Sequence, residues 1–185
     1  NSFELAYRMQ TDAREAFDIA GEKPETVAKY GANAQGRQML IARRLLERGV
    51  RFVQVRQGGW DLHGGIAQRA ANNARQLDPA IGAIMDDLKE RGLFEDTLIY
   101  ITSEFGRSPT EDGGGGRSHN ARGLSTVLMG GGIKGGIAYG STDEIGGAAV
   151  ENKVHVKDIH ATVMDLLGFD HEQLTYRTAG RDFRL

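Results

Sequence analysis

Cysteine is absent from this chain of 185 residues, and proline and tryptophan are scarce, with three and one copies. The lack of cysteine excludes thiol catalysis, zinc–thiolate sites and disulfide bonds. The two signs of charge are nearly balanced, with 25 acidic and 23 basic residues. The chain therefore has no basic field for nucleic acid and no polybasic patch for a membrane surface. No apolar run reaches the ~18 residues that a membrane-spanning helix needs.

Two common functional motifs are also missing. No serine lies in a GxSxG sequence, which excludes the nucleophile elbow of α/β-hydrolases. The glycine-rich segments 113–116 and 130–136, the second of which contains Lys134, have the composition of a phosphate cradle. Neither matches GxxxxGK[ST], and neither is a GxGxxG sequence between a strand and a helix. Tightly turning loops are therefore the favoured interpretation, and nucleotide binding is the disfavoured one.

The size and composition of the chain fit one globular unit. With 39% hydrophobic residues, the chain can bury one core, so we expect residues 1–185 to form a single domain or most of one. The chain opens on Asn1 without an initiator methionine or a signal-like segment, as a processed protein or a gene fragment would.

Hydrophobic periodicity predicts alternating helices and strands. Apolar spacings of three and four predict helices over 3–17, 24–30, 36–48, 66–91 and 156–167, with Pro79 expected to start or kink a helix. Short apolar runs predict strands over 50–55, 97–102 and 124–129, and residues 137–156 read as irregular structure or a hairpin. This alternation predicts an α/β fold with a mainly parallel sheet and helices on both faces.

Polar side chains follow two of the predicted strands. Asp61 and His63 lie in the sequence GGWDLHGG at 58–65, whereas Glu104 and His119 lie in the glycine-rich stretch after the strand over 97–102. Loops after neighbouring parallel strands meet at one edge of a sheet, so these four side chains could complete a metal site. For Asp61 and His63 alone, a solvated turn with a surface histidine is the alternative.

Two arginines flank the second loop. Arg107 and Arg117 carry fixed positive charge of the kind that clamps phosphate or sulfate groups. Ordinary ion pairs with Glu111, Asp112 or another acid are the alternative interpretation.

Several motifs occur in a fixed order and together resemble the domain-of-unknown-function 1501 family. They are GGWDLHG, SEFGRSP, GGRSHN, MGGGIKGG, YGSTDE, VHVKDIHATVMDLLGFDHEQLTYR and GRDFRL. The resemblance runs from about Phe3 to Leu185. This bacterial family is often labelled sulfatase-like and is grouped with the alkaline phosphatase superfamily.

The resemblance implies a three-layer α/β/α sandwich and a two-metal hydrolase of phosphate or sulfate esters. It places later metal ligands of that superfamily at Asp61, His63, Glu104 and His119. It also implies that the chain is the C-terminal part of a longer, exported or periplasmic protein whose first half holds the nucleophile. Two positions depart from the pattern. Phe105 replaces the histidine of an Asp-His pair, and Ser118 replaces an acid beside the histidine.

Two functions remain open from the sequence. The first is a divalent-metal-dependent hydrolase acting on a small anionic ester, with zinc as the leading metal and calcium, magnesium or manganese as alternatives. The second is a non-catalytic exported module that keeps the fold and binds a sulfated polysaccharide or a cell-envelope partner. The sequence leaves the oligomeric state open.

Overall fold

The computed structural model describes Phe3 and residues 14–184. Most of the helix predicted over 3–17 therefore lies outside the described residues. The described helices are α1 Arg14–Phe17, α2 Pro24–Tyr30, α3 Ala34–Leu46, α4 Ile66–Glu90 and α5 Val156–Leu166. The described strands are β1 Ile99–Ile101, β2 Gly106–Glu111, β3 Arg117–Asn120, β4 Val127–Met129, β5 Ser141–Thr142, β6 Ala149–Glu151, β7 Tyr176–Thr178 and β8 Arg181–Phe183.

The chain divides into two compact units. The first contains Asn1–Phe94 and Glu111–Arg117, and the second contains Glu95–Thr110 and Ser118–Leu185. The prediction of one domain over 1–185 stays a prediction.

Helices α2, α3 and α4 pack against one another in the first unit. Helix α3 begins after Asn33, whose side chain accepts a hydrogen bond of 2.9 Å from the amide of Gly36. This cap satisfies one of the amides that lack a partner in the first turn of a helix. Leu40 and Ala42 of α3 are buried, and the predicted helix over 36–48 is confirmed with slightly shifted bounds.

The second half of helix α4 contributes a buried apolar face to the first unit. Its buried side chains recur at helical spacing, at Ala80, Ala83, Ile84 and Leu88. Pro79 lies inside this helix without ending it. Proline removes one backbone donor from the interior of a helix, so this turn has one hydrogen bond fewer than its neighbours.

Charged side chains are buried beside this apolar face. The Asp87 carboxylate accepts a hydrogen bond of 2.9 Å from the Tyr30 hydroxyl, and its Oδ2 lies 3.4 Å from Nε of Arg43. Arg43 is only 2% exposed and also donates, at 2.8 Å each, to Glu22 and Glu47. These contacts pair the buried guanidinium with acids, which offsets the free-energy cost of removing it from water.

Short antiparallel strand pairs characterise the second unit. Strand β1 pairs with β4, so that Ile99 lies opposite Met129 and Ile101 lies opposite Val127. Strand β5 pairs with β6, and the side chain of Asp143 stabilises the turn between them. Strands β7 and β8 form another antiparallel pair. Helix α5 begins with a capping box of His155 and Asp158 but contains no buried residue. The helix predicted over 156–167 and the hairpin within 137–156 are confirmed.

The predicted three-layer α/β/α sandwich with a mainly parallel sheet is wrong for this chain. The described strands form four separate two-stranded sheets, and residues 50–55 form no strand within the described part. Parallel pairing requires a crossover connection, usually a helix. Residues 102–126, which join β1 to β4, contain β2 and β3 but no helix, so the two apolar runs pair antiparallel instead.

Among the described helices, none combines the length and the apolar character that crossing a membrane requires.

Candidate metal centre

The segment around Asp61 and His63 is anchored by the residue between them. Leu62 is 2% exposed, whereas Asp61 and His63 are both exposed. Alternation of this kind is typical of extended backbone, in which neighbouring side chains point to opposite sides. Burial of Leu62 therefore directs the carboxylate and the imidazole to the protein surface.

Backbone hydrogen bonds join this segment to the glycine-rich loop before β3. The amides of Gly65 and Ile66 donate to the carbonyls of Gly114 and Gly115 at 2.9 and 3.1 Å. The amide of Arg117 donates to the carbonyl of Leu62 at 3.0 Å. These contacts include an antiparallel bridge of Gly64 with Gly115. Two segments that are distant in sequence are thus held in a fixed register.

The start of helix α4 fixes the other side of the same segment. The Asn73 side chain donates to the carbonyl of Gly59 at 2.6 Å, and the backbone carbonyl of Asn73 accepts from the Gln57 side chain at 3.1 Å. Gln57 in turn accepts a hydrogen bond of 2.9 Å from the indole of Trp60. Residues 57–60 are therefore tied to a helix rather than left as a free loop.

Both ring nitrogens of His63 contact carboxylates. Nδ1 lies 2.7 Å from Oδ2 of Asp112, and Nε2 lies 3.0 Å from Oδ1 of Asp61. The hydrogen bond with Asp112 is the main cause that raises the pKa of His63 above its ordinary value of 6.5, with a further contribution from the charge of Asp61. In the absence of a cation, the two carboxylates thus favour the protonated imidazole.

Three of the four predicted ligands form a group that could hold a metal ion. One ligand atom each of Asp61, His63 and His119 lies within 4.8 Å of the other two, and all three residues are exposed. Tetrahedral zinc with bonds of ~2.0–2.2 Å places its donor atoms roughly 3.3–3.6 Å apart. The 3.0 Å between Oδ1 of Asp61 and Nε2 of His63 is close to that separation. Two imidazoles and one carboxylate are also a ligand set that suits zinc.

Among the described residues, the group of possible metal ligands does not include Glu104. Its side chain is exposed in the bend between β1 and β2. Its predicted role as a ligand stays a prediction.

Both predicted anion-binding arginines are half-buried and held by specific contacts. Arg117 follows the buried Gly116 and donates a hydrogen bond of 2.8 Å to the Gly116 carbonyl. The Arg107 guanidinium lies 5.5 Å from the centre of the Phe105 ring, a distance typical of a cation–π contact. Their roles in binding an anion stay predictions.

Phe105 packs against one of the candidate ligands. Its ring centre lies 4.1 Å from that of His119, with the two planes tilted by 33°. An aromatic contact at this distance restricts the rotation of the imidazole. Phe105, which replaces an expected histidine, thus helps to position the predicted ligand His119.

The contact of Asp112 with His63 was not among the contacts predicted from the sequence. The two residues are 49 positions apart, and their contact depends on the register between the two loops. The only signal in the sequence was an acid placed directly before the four glycines at 113–116.

Comparison with known proteins identifies the family of the chain. No curated protein and no solved structure matches the chain. A family model described as "Protein of unknown function (DUF1501)" matches residues 1–185. Because this match covers the whole chain, the protein belongs to the DUF1501 family.

Proposed function

We propose that this chain supplies metal ligands to a divalent-metal-dependent hydrolase of phosphate or sulfate esters. The observation that carries the proposal is the group formed by Asp61, His63 and His119. Catalytic zinc sites commonly have three protein ligands of this kind and leave a further coordination position open. A surface position of the three side chains suits a substrate that arrives from solvent.

The chemistry divides between the ion and the protein. A bound divalent ion would supply Lewis-acid polarisation of an ester oxygen. Asp61, His63 and His119 would hold the ion, and the backbone contacts at Leu62 and Gly64 would keep the first two of them in place. Arg117, fixed through its amide and its guanidinium, is proposed to bind the anionic group of the ester by charge-assisted hydrogen bonds.

The proposed ester chemistry and the proposed export rest on the sequence motifs that resemble those of sulfatase-like proteins. We propose that the protein belongs with the alkaline phosphatase superfamily in its chemistry and acts after export from the cytoplasm. Glu104 is proposed as a ligand of a second ion, and Arg107 as a second contact for the anionic group of the ester. Zinc is the proposed metal at the group of three, because calcium and magnesium prefer sites built from oxygen ligands alone.

Metal analysis tests this proposal directly. The purified protein is stripped with a chelator, and zinc binding is measured by calorimetry and by elemental analysis after dialysis. We expect about one tightly held zinc at the group of three, and loss of that binding in His63→Ala and in His119→Ala. His160→Ala, which removes an exposed histidine from helix α5, is the matched control and should bind zinc as the wild type does. Stoichiometric zinc that survives both ligand substitutions would contradict the proposal.

A second candidate function is favoured by the contact of Phe105 with His119. The resemblance to sulfatase-like proteins implies an imidazole at position 105, where this chain has an aromatic ring that packs on His119. A protein with an incomplete ligand set could bind a sulfated polysaccharide without cleaving it. The zinc-loaded protein is therefore tested on a panel of aryl phosphates and aryl sulfates, and its binding to dextran sulfate is measured in parallel. Metal-dependent turnover removes this second candidate, whereas binding without turnover favours it.

A further inference from the structure

The imidazole of His63 lies between two carboxylates that differ in their surroundings. Asp61 belongs to the group of three candidate ligands, whereas Asp112 does not. Asp112 makes the shorter contact, at 2.7 Å to Nδ1, compared with 3.0 Å from Asp61 to Nε2. Nε2 is therefore the ring nitrogen of His63 that faces another candidate ligand.

The backbone around Asp112 is closed by local hydrogen bonds. The amide of Asp112 donates to the carbonyl of Gly116 at 3.1 Å, and the amide of Gly116 donates to the carbonyl of Gly113 at 3.2 Å. The neighbouring Glu111 accepts a hydrogen bond of 2.8 Å from the amide of Gly115. Asp112 therefore lies in a closed turn that fixes the backbone from which its carboxylate reaches the imidazole.

We propose that Asp112 is a positioning residue for the metal centre, which accepts the Nδ1–H proton of His63 in a hydrogen bond and so leaves Nε2 unprotonated for a divalent cation. This inference rests on the proposed function, because it assigns a task to Asp112 at the same site. A carboxylate behind a ligating histidine fixes both the tautomer and the orientation of the ring, and its loss typically costs about 10- to 100-fold in metal affinity.

Two measurements test the inference, and one of them requires no metal. Nitrogen NMR of histidine-labelled, metal-free protein at alkaline pH, where the imidazole is neutral, reports which ring nitrogen carries the proton. The His63 signal is identified by its loss in His63→Gln. We expect the Nδ1–H tautomer in the wild type and a shift towards Nε2–H in Asp112→Ala.

Zinc calorimetry on the same variants provides the second measurement. Asp112→Ala should weaken zinc binding by about 10- to 100-fold. Asp112→Asn keeps an oxygen acceptor for Nδ1–H and should retain the tautomer with a smaller loss of affinity. Glu111→Gln is the matched control, because it removes the same charge one residue away and retains an acceptor for the Gly115 amide. It should change neither measurement.

The outcomes separate this inference from the proposed function. If the wild type binds zinc and Asp112→Ala binds it equally well with an unchanged tautomer, the role of Asp112 is overturned while the metal centre stands. If the wild type binds no zinc, the proposed function fails and the role of Asp112 fails with it. A tautomer change accompanied by weaker zinc binding in Asp112→Ala, absent from Glu111→Gln, supports the inference.

Discussion

Gly116 lies directly against the backbone of His63. A methyl group added at Gly116 would lie 2.0 Å from the carbonyl carbon of His63 and 2.2 Å from its carbonyl oxygen. Both distances are far inside van der Waals contact, and the obstructing atoms are backbone atoms that cannot rotate away. Glycine is therefore required at this position if the two loops are to meet.

The first prediction follows from this contact. Gly116→Ala should separate the loop around Gly116 from the segment of His63, which lowers the free energy of unfolding by at least about 1–3 kcal/mol and weakens zinc binding. Denaturant unfolding and zinc calorimetry measure the two effects. Gly58→Ala is the control, because its added methyl group would meet no atom within 4 Å. Equal stability and equal zinc affinity in the two variants would refute the explanation.

The buried hydroxyl of Tyr30 gives a second prediction. Tyr30→Phe removes the 2.9 Å hydrogen bond to Asp87, whose carboxylate is largely withdrawn from water. Hydrogen bonds to charged groups typically contribute about 1.5–3 kcal/mol, so we expect a loss of stability in that range. Chemical denaturation checks the value. Tyr139→Phe, at a side chain that is 71% exposed, should change stability by less than about 0.5 kcal/mol.

The ion pairs of Glu22 predict how stability depends on pH. Burial raises the pKa of this carboxyl, but hydrogen bonds from Arg44 and Arg43 outweigh it, so the pKa in the folded protein lies below the ordinary value of 4.5. Since a lowered pKa stabilises the fold when the group is ionised, this contribution is complete above pH 4.5 and is lost as the pH falls through the folded pKa.

Urea unfolding across the acid range tests this dependence. Glu22→Gln should be less stable than the wild type at neutral pH, and the difference should shrink as the solution becomes acidic. Glu144→Gln, at an exposed position, should follow the wild-type curve. A constant difference at every pH would show that the ionised form of Glu22 is not what stabilises the fold.

A stabilising substitution is available in helix α4. Gly82 lies in the interior of this helix, and a methyl group at this position would meet no atom within 4 Å. Gly82→Ala should therefore raise the free energy of unfolding by about 0.5–1 kcal/mol. Gly92 also has open space but a φ of +69°, so Gly92→Ala should be destabilising instead. Thermal unfolding of the two variants should show opposite shifts in the melting temperature.

The helices could be predicted from the sequence because their causes are local. The apolar spacing of α4 and the capping side chain of Asn33 before α3 lie within a few residues of the backbone that they organise. The strands depend on distant partners as well. The runs at 97–102 and 124–129 do contain strands β1 and β4, but their predicted parallel pairing is wrong, because the two strands pair antiparallel. The apolar run at 50–55 has the composition of a strand but forms none within the described chain.

The candidate site was predicted in part, although the fold from which it was argued is wrong. Asp61, His63 and His119 do form a group, but the carboxyl edge of a parallel sheet does not position them. The register of His63 depends on backbone hydrogen bonds with the loop at 114–117, and hydrogen-bonding partners of this kind leave no trace in side-chain composition. The same reason explains why the contact of Asp112 with His63 was missed.

Burial of apolar side chains differs between the two units. Within the described residues, the fully buried apolar side chains all lie in the first unit, and helix α5 of the second unit contributes none. Amide protons exchange with solvent through openings whose free energy reflects the apolar surface that each opening exposes. Amides of α3 and of the second half of α4, where the buried side chains lie, should therefore exchange mainly through global unfolding, whereas those of α5 and of the β7–β8 pair should exchange through local openings at much lower cost.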